Sequence, residues 1–178
     1  MSSDSPLDEV WKVYEVTKDC LKVTDRVLHS DDERFLRTTN FVGSTEAEAE
    51  KWIKNSHDET DSYVLVLLWV QFERCIVNFI QTKVGKLLEE EPKALAKKLH
   101  DKIGHEVEYW KKDDILDLLK GTIDSRQLGM AKNIKKYRDW VVHRNPKRLP
   151  PSKTDPKTAY RTLSEILDAV SANRETDT

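Results

Sequence analysis

Apolar positions recur at helical intervals along most of the chain. Leu7, Val10, Trp11, Tyr14, Leu21 and Leu28 approximate one helical face, and Pro6 suits a first turn, so residues 7–28 predict a helix. The segment SDDER (30–34) opens a short helical turn at most, and TTNFVGS (38–44) reads as a loop. Thr45 followed by Glu48 has capping-box spacing and predicts a helix through EAEAEKWIK that ends near Asn55. The next helix is predicted from about Asp61 to Glu90. Its first half, YVLVLLWVQFERCIVNFI, is apolar almost all round, which marks the central, most buried element. After Pro92 a helix runs through ALAKKLHDKIGHEVEYW. A short one, ILDLLK, is opened by Asp113 and Asp114 and closed by Gly121. Met130, Ile134, Tyr137 and Val141 then predict a helix from about Ser125 to Arg144, with Asn145 as C-cap and Pro146 behind it. Residues 145–156 read as a basic, proline-rich loop. Leu163, Ile166, Leu167 and Val170 mark a last amphipathic helix from Lys157 to Ala172. The expected architecture is an all-α, antiparallel up-and-down helical bundle, one domain over 1–178, with residues 1–5 and 174–178 disordered.

Composition sharpens that reading. The chain has 178 residues, 38% hydrophobic and 35% charged with only 5 glycines, which suits amphipathic helices and suits strands and turns poorly. The net charge of −2 argues against a polycation that coats nucleic acid. Its distribution is uneven. From Arg126 to Arg148 the basic residues Arg126, Lys132, Lys135, Lys136, Arg138, Arg144, Lys147 and Arg148 face one acid, Asp139, giving +7 here and −9 elsewhere. Such a run is ordinarily a solvated helix face, but an arginine and histidine suited to phosphate inside it favour a footprint for a phosphate backbone. Cys20 and Cys75 have neither a CxxC spacing nor a histidine pattern for zinc, and Cys75 reads as a small core residue. The start, MSSDSPLDEV, lacks a basic and an apolar leader region, and YVLVLLWV is interrupted by Gln71, Glu73 and Arg74 before reaching the length of a membrane span. The expected location is the cytoplasm.

The reactive side chains cluster in YRDWVVHRNP (137–146). On a helical wheel Arg138 falls on the flank of the apolar stripe. Asp139 and His143, spaced i and i+4, lie roughly opposite it. His143 is therefore not a core histidine: it is either a solvated surface residue or one that faces a cleft or a second subunit. Glu73 stands out differently, because Val66, Trp69, Val70, Ile76 and Val77 surround it at helical spacing, so it needs a partner. Either it fixes helix register through an ion pair or it reaches the motif helix and orients Arg138. His100 and His105, at i and i+5 with no third ligand on their face, read as surface or capping residues, and no metal-ligand set, phosphate loop or nucleophile elbow is visible.

The pattern arginine, polar residue, three further residues, histidine, with Tyr137 before it and Trp140 within it, resembles the R-x(4–6)-H signature of the HEPN superfamily. The apolar helix 63–80 looks like that family's long central helix, so the resemblance covers roughly residues 60–170, and residues 1–44 match nothing in it. The resemblance implies a metal-independent endoribonuclease without cofactor, in which two protomers face each other and both motif helices line one cleft. The 2′-hydroxyl of RNA attacks the adjacent phosphate, leaving a 2′,3′-cyclic phosphate and a 5′-hydroxyl. Arg138 and His143 are then the leading catalytic candidates, followed by Asp139, with Glu73 and Tyr137 supporting. Lys135, Lys136, Arg144, Lys147 and Arg148 become contacts to the RNA backbone. The implied setting is a toxin or defence system with an antitoxin or accompanying partner protein. In relatives silenced by a nucleotidyltransferase antitoxin a tyrosine commonly stands two residues after the histidine. Here that residue is Asn145, which argues against such a partner. The competing reading is a catalytically silent helical module that binds protein or RNA.

Overall fold

The computed structural model describes residues 5–30, 34, 37–144 and 149–172. Among these the chain forms six α-helices: α1 (Pro6–Leu28), α2 (Glu46–Gly85), α3 (Lys93–Glu106), α4 (Lys112–Leu118), α5 (Ser125–His143) and α6 (Pro156–Ala172). Short 3-10 turns, Lys86–Glu89 and Val107–Tyr109, follow α2 and α3. The result is an all-α helical bundle.

The helix starts follow local chemistry. Ser5 and Asp8 form a reciprocal capping box at α1, and Thr45 and Glu48 form the second at α2. Asp124 Oδ1 accepts the N–H groups of Arg126 and Gln127 at the head of α5, and Asp155 accepts that of Thr158 at α6.

One predicted boundary is absent. The helix expected to end near Asn55 instead continues unbroken into the apolar segment, so α2 is 40 residues long, or about 60 Å at 1.5 Å per residue. The polar stretch NSHDET (55–60) contains neither Gly nor Pro, and its modest propensity cost does not break a helix whose side chains can face solvent.

α1 runs antiparallel along the first half of α2. Tyr14 and Lys18 meet Asp61 at 2.9 and 2.8 Å, whereas His29, fifteen residues further on, meets Glu50. α3 returns antiparallel along the other end, where Gln81 donates to the Gly104 carbonyl and Arg74 pairs with Glu108. Leu65, Leu68, Trp69, Phe72 and Ile76 of α2 form the centre of the core with Leu128, Ile134 and Val141 of α5 and Leu163 and Ile166 of α6. Leu7 and the Trp11 ring, stacked on Tyr160 at 4.8 Å, join α1 to it, and Tyr160 donates to Asp8 at 2.6 Å.

By length and hydropathy α2 also contains a window that could cross a membrane, contrary to the expectation from its interrupting charges, and 39% of that window is buried in the bundle. The remainder includes Tyr63, Leu67 and Val70, which are 55%, 55% and 48% exposed. Spacings of four and three put them on one face.

Candidate active site on the fifth helix

α5 is fixed on the bundle by its buried stripe of Leu128, Ala131, Ile134, Tyr137 and Val141. Tyr137 docks it to α2: its hydroxyl lies 3.3 Å from Ser62 Oγ, which donates to the Asp58 carbonyl, and its ring packs on Trp140. Tyr137 is thus an anchor of the helix that carries the candidate site.

Arg138 lies on the flank of this stripe. Its Nη1 donates to Asp139 Oδ1 at 2.8 Å, and its Nε is buried without a hydrogen-bond acceptor among the described residues. The second oxygen of Asp139 meets Lys135 Nζ at 3.2 Å, and Lys135 also reaches Asp113 of α4 at 3.2 Å. Burial opposes the Lys135 charge, but hydrogen bonds to Asp139 and Asp113 outweigh it and raise the ammonium pKa. Asp139 therefore holds Arg138 and Lys135. The i, i+4 side-chain contact with His143 suggested by spacing is not formed: His143 is exposed and its imidazole has no hydrogen bond among the described residues.

For Glu73 the structure decides between the two alternatives, an ion pair or a reach to Arg138, in favour of the ion pair. Glu73 pairs with Lys112 at 2.9 Å and accepts from its own helix's Trp69 Nε1 at 3.0 Å, so it does not orient Arg138. Lys112 begins α4, so the bond that satisfies Glu73 fastens α4 to α2.

The basic run is largely engaged. Lys132 pairs with Asp117, Lys135 with Asp113 and Asp139, and Arg144 with Glu59. Lys136 is exposed and without an ion pair among the described residues, and Lys147 and Arg148 lie outside them. Arg144, not Asn145, caps α5. It adopts a left-handed conformation at φ 35°, donates its N–H to the Trp140 carbonyl at 2.7 Å, and reaches Glu59 with its guanidinium. Asn145 lies outside the described residues. The left-handed backbone costs a non-glycine residue about 1–2 kcal/mol, and the ion pair to α2 offsets part of this. The Arg144 hydrogen bond, against opposing desolvation and with help from Tyr63, holds the Glu59 carboxyl below the usual range.

Chemically, the site offers a permanently charged planar fork held by a carboxylate, and an imidazole open to solvent. They do not point the same way. Five residues along an α-helix correspond to about 7.5 Å of rise and about 140° of rotation, so Arg138 and His143 of one helix diverge. No family model, curated protein or solved structure matches this chain.

Proposed function

We propose that the protein is a metal-independent endoribonuclease whose site is completed by a second copy of the chain. The observation that carries this reading is the pairing of Arg138 with Asp139 on the same helix as an open His143. A guanidinium so anchored keeps further N–H donors for a phosphate, and an imidazole open to solvent can accept and donate a proton. Because the two diverge on one helix, Arg138 of one copy would work with His143 of another across a cleft.

In this mechanism His143 takes the proton of the ribose 2′-hydroxyl as its oxygen attacks the adjacent phosphorus. The bond to the 5′-oxygen breaks, that oxygen takes a proton from a solvent water whose hydroxide is neutralised by the proton His143 took up, and a 2′,3′-cyclic phosphate remains. Arg138 stabilises the charge that grows on the phosphoryl oxygens. Asp139 positions Arg138, and Lys136 with Lys135, Arg144, Lys147 and Arg148 supplies backbone contacts. For Lys135 and Arg144 this requires exchanging a carboxylate for a phosphate. The setting that fits is cytoplasmic, as a toxin or defence factor, with an antitoxin or defence-system protein as a further partner.

The assay is cleavage of RNA in EDTA. His143→Ala should reduce turnover by about 100-fold or more, the usual share of a general acid–base, with RNA binding kept. Arg138→Lys should fail as well, because an ammonium lacks the fork. Activity that returns only with magnesium, or survives in His143→Ala, would overturn the mechanism. The engaged state of the α5 cations favours a second reading, a helical module that binds protein or RNA without cleaving it, and the same assay separates the two.

A further inference from the structure

The far end of the α1–α2 pair holds a group of side chains unrelated to the α5 site. His29 caps the C-terminus of α1, and Glu46 and Glu50 project from the first turns of α2, one turn apart on one face. One nitrogen of His29 and one oxygen from each glutamate all lie within 4.8 Å of one another. We propose that these three residues bind a divalent transition-metal cation of the zinc class, which staples the end of α1 to the start of α2.

The imidazole is already set up as a ligand. His29 Nδ1 lies 2.8 Å from the Asp25 carbonyl oxygen, which only accepts, so Nδ1 carries the proton. Nε2 in turn donates to Glu50 Oε1 at 3.2 Å and has Glu46 Oε1 at 3.8 Å, so a cation would take the place of the Nε2 proton between an imidazole and two carboxylates that already converge. A histidine whose second nitrogen donates to a backbone carbonyl is the usual arrangement around bound zinc. Tetrahedral zinc with N and O ligands at about 2.0–2.2 Å places its ligand atoms roughly 3.4 Å apart. The His29 spacings are already close to that, and the two exposed carboxylates need only rotate inward. One imidazole and two carboxylates suit zinc, nickel or manganese better than magnesium, which prefers oxygen and keeps its waters. Water completes the coordination, since all three residues are exposed.

A bound ion would tie residues separated by the whole 30–45 connection, and such a cross-link stabilises chiefly by restricting the unfolded chain. Glu50 and Glu59 are nine residues apart, about 14 Å along α2, so the staple stands away from the α5 site and does not depend on the ribonuclease reading.

The test is calorimetric titration of the chelator-treated full chain with Zn²⁺, together with thermal melts. The wild type should bind one Zn²⁺ per chain at this site with a rise in Tm. His29→Ala and the nearly isosteric Glu50→Gln should each weaken binding by at least about tenfold and lose the rise, whereas His100→Ala and His143→Ala should retain both. Absence of Zn²⁺ binding by the wild type, or wild-type binding in both His29→Ala and Glu50→Gln, would overturn the proposal. The EDTA cleavage assay should also be run on His29→Ala, so that a chelator effect through this staple is not taken for a catalytic metal.

Discussion

A buried or half-buried charge is defined by its acceptor or donor, and Glu73 is the clearest case. Its carboxylate serves two donors, Lys112 Nζ and Trp69 Nε1, both of which lose their acceptor if it is removed. Glu73→Ala should therefore lower stability by about 1–2 kcal/mol, read by denaturant unfolding, while RNA cleavage per folded molecule stays at the wild-type level. A selective loss of cleavage in a fully folded variant would return Glu73 to the site. Asp139 has the opposite expectation. It fixes Arg138, so Asp139→Asn should cost cleavage more than it costs stability.

Between elements, the attachment of α1 depends on Asp61. Lys18 and Tyr14 donate to one of its oxygens, and Lys153, from the segment before α6, lies 3.6 Å from the other. Burial alone would raise the Asp61 pKa, but the hydrogen bonds from Lys18 and Tyr14 and the charges of Lys18 and Lys153 prevail, leaving it below the ordinary value. Burial and the same Asp61 contact push the Tyr14 hydroxyl upward. Since the folded-state pKa of Asp61 is depressed, its contribution is fully present above the unfolded value of about 3.9 and is lost as pH falls through the folded value. Asp61→Asn should thus destabilise by about 1–2 kcal/mol near neutrality. The gap to wild type should close below about pH 4, and a gap independent of pH would show that the carboxylate charge is not what holds α1.

At the scale of the molecule, the unburied part of the apolar α2 window asks for a cover. Tyr63, Leu67 and Val70 form a stripe that begins one turn after Glu59, the partner of Arg144, and so adjoins the C-terminal end of α5. Val10, Val13 and Tyr14 of α1 border it through an apolar groove of about 210 Å³. On α5 itself, Val142 beside His143 is 52% exposed. Contiguous apolar surface of this kind marks interaction sites, and a second copy on this face would bring the two α5 ends near each other, as the proposed composite site requires. Leu67→Glu, at an exposed position, should leave the monomer folded and shift sedimentation to monomer at micromolar concentration. Cleavage should fall in parallel. A wild type that sediments as a monomer would remove the composite site.

The sequence by itself determined most of the helices, the Thr45–Glu48 cap and much of the buried faces, though not the α5 cap, which is Arg144 and not Asn145. These depend on contacts three or four residues apart: the Thr45–Glu48 box, the Leu163, Ile166, Leu167 and Val170 face, and the Leu7 start of α1 all sit where spacing predicted. Its one error of element is the break near Asn55, where no Gly or Pro enforces an end and α2 continues. The partners of charges were decided only by tertiary structure. Spacing left Glu73 either a register-fixing ion pair or a reach to Arg138, and set Asp139 beside His143, whereas packing supplied Lys112 from α4 to the first and left the second holding Arg138 and Lys135. Lys132, Lys135 and Arg144 of the +7 run pair with Asp117, Asp113 and Glu59, and His29 met Glu50 across the 30–45 connection. Long, rotatable charged side chains reach whatever the fold brings within 4 Å, and for residues this far apart along the chain that neighbour is set by how the helices pack.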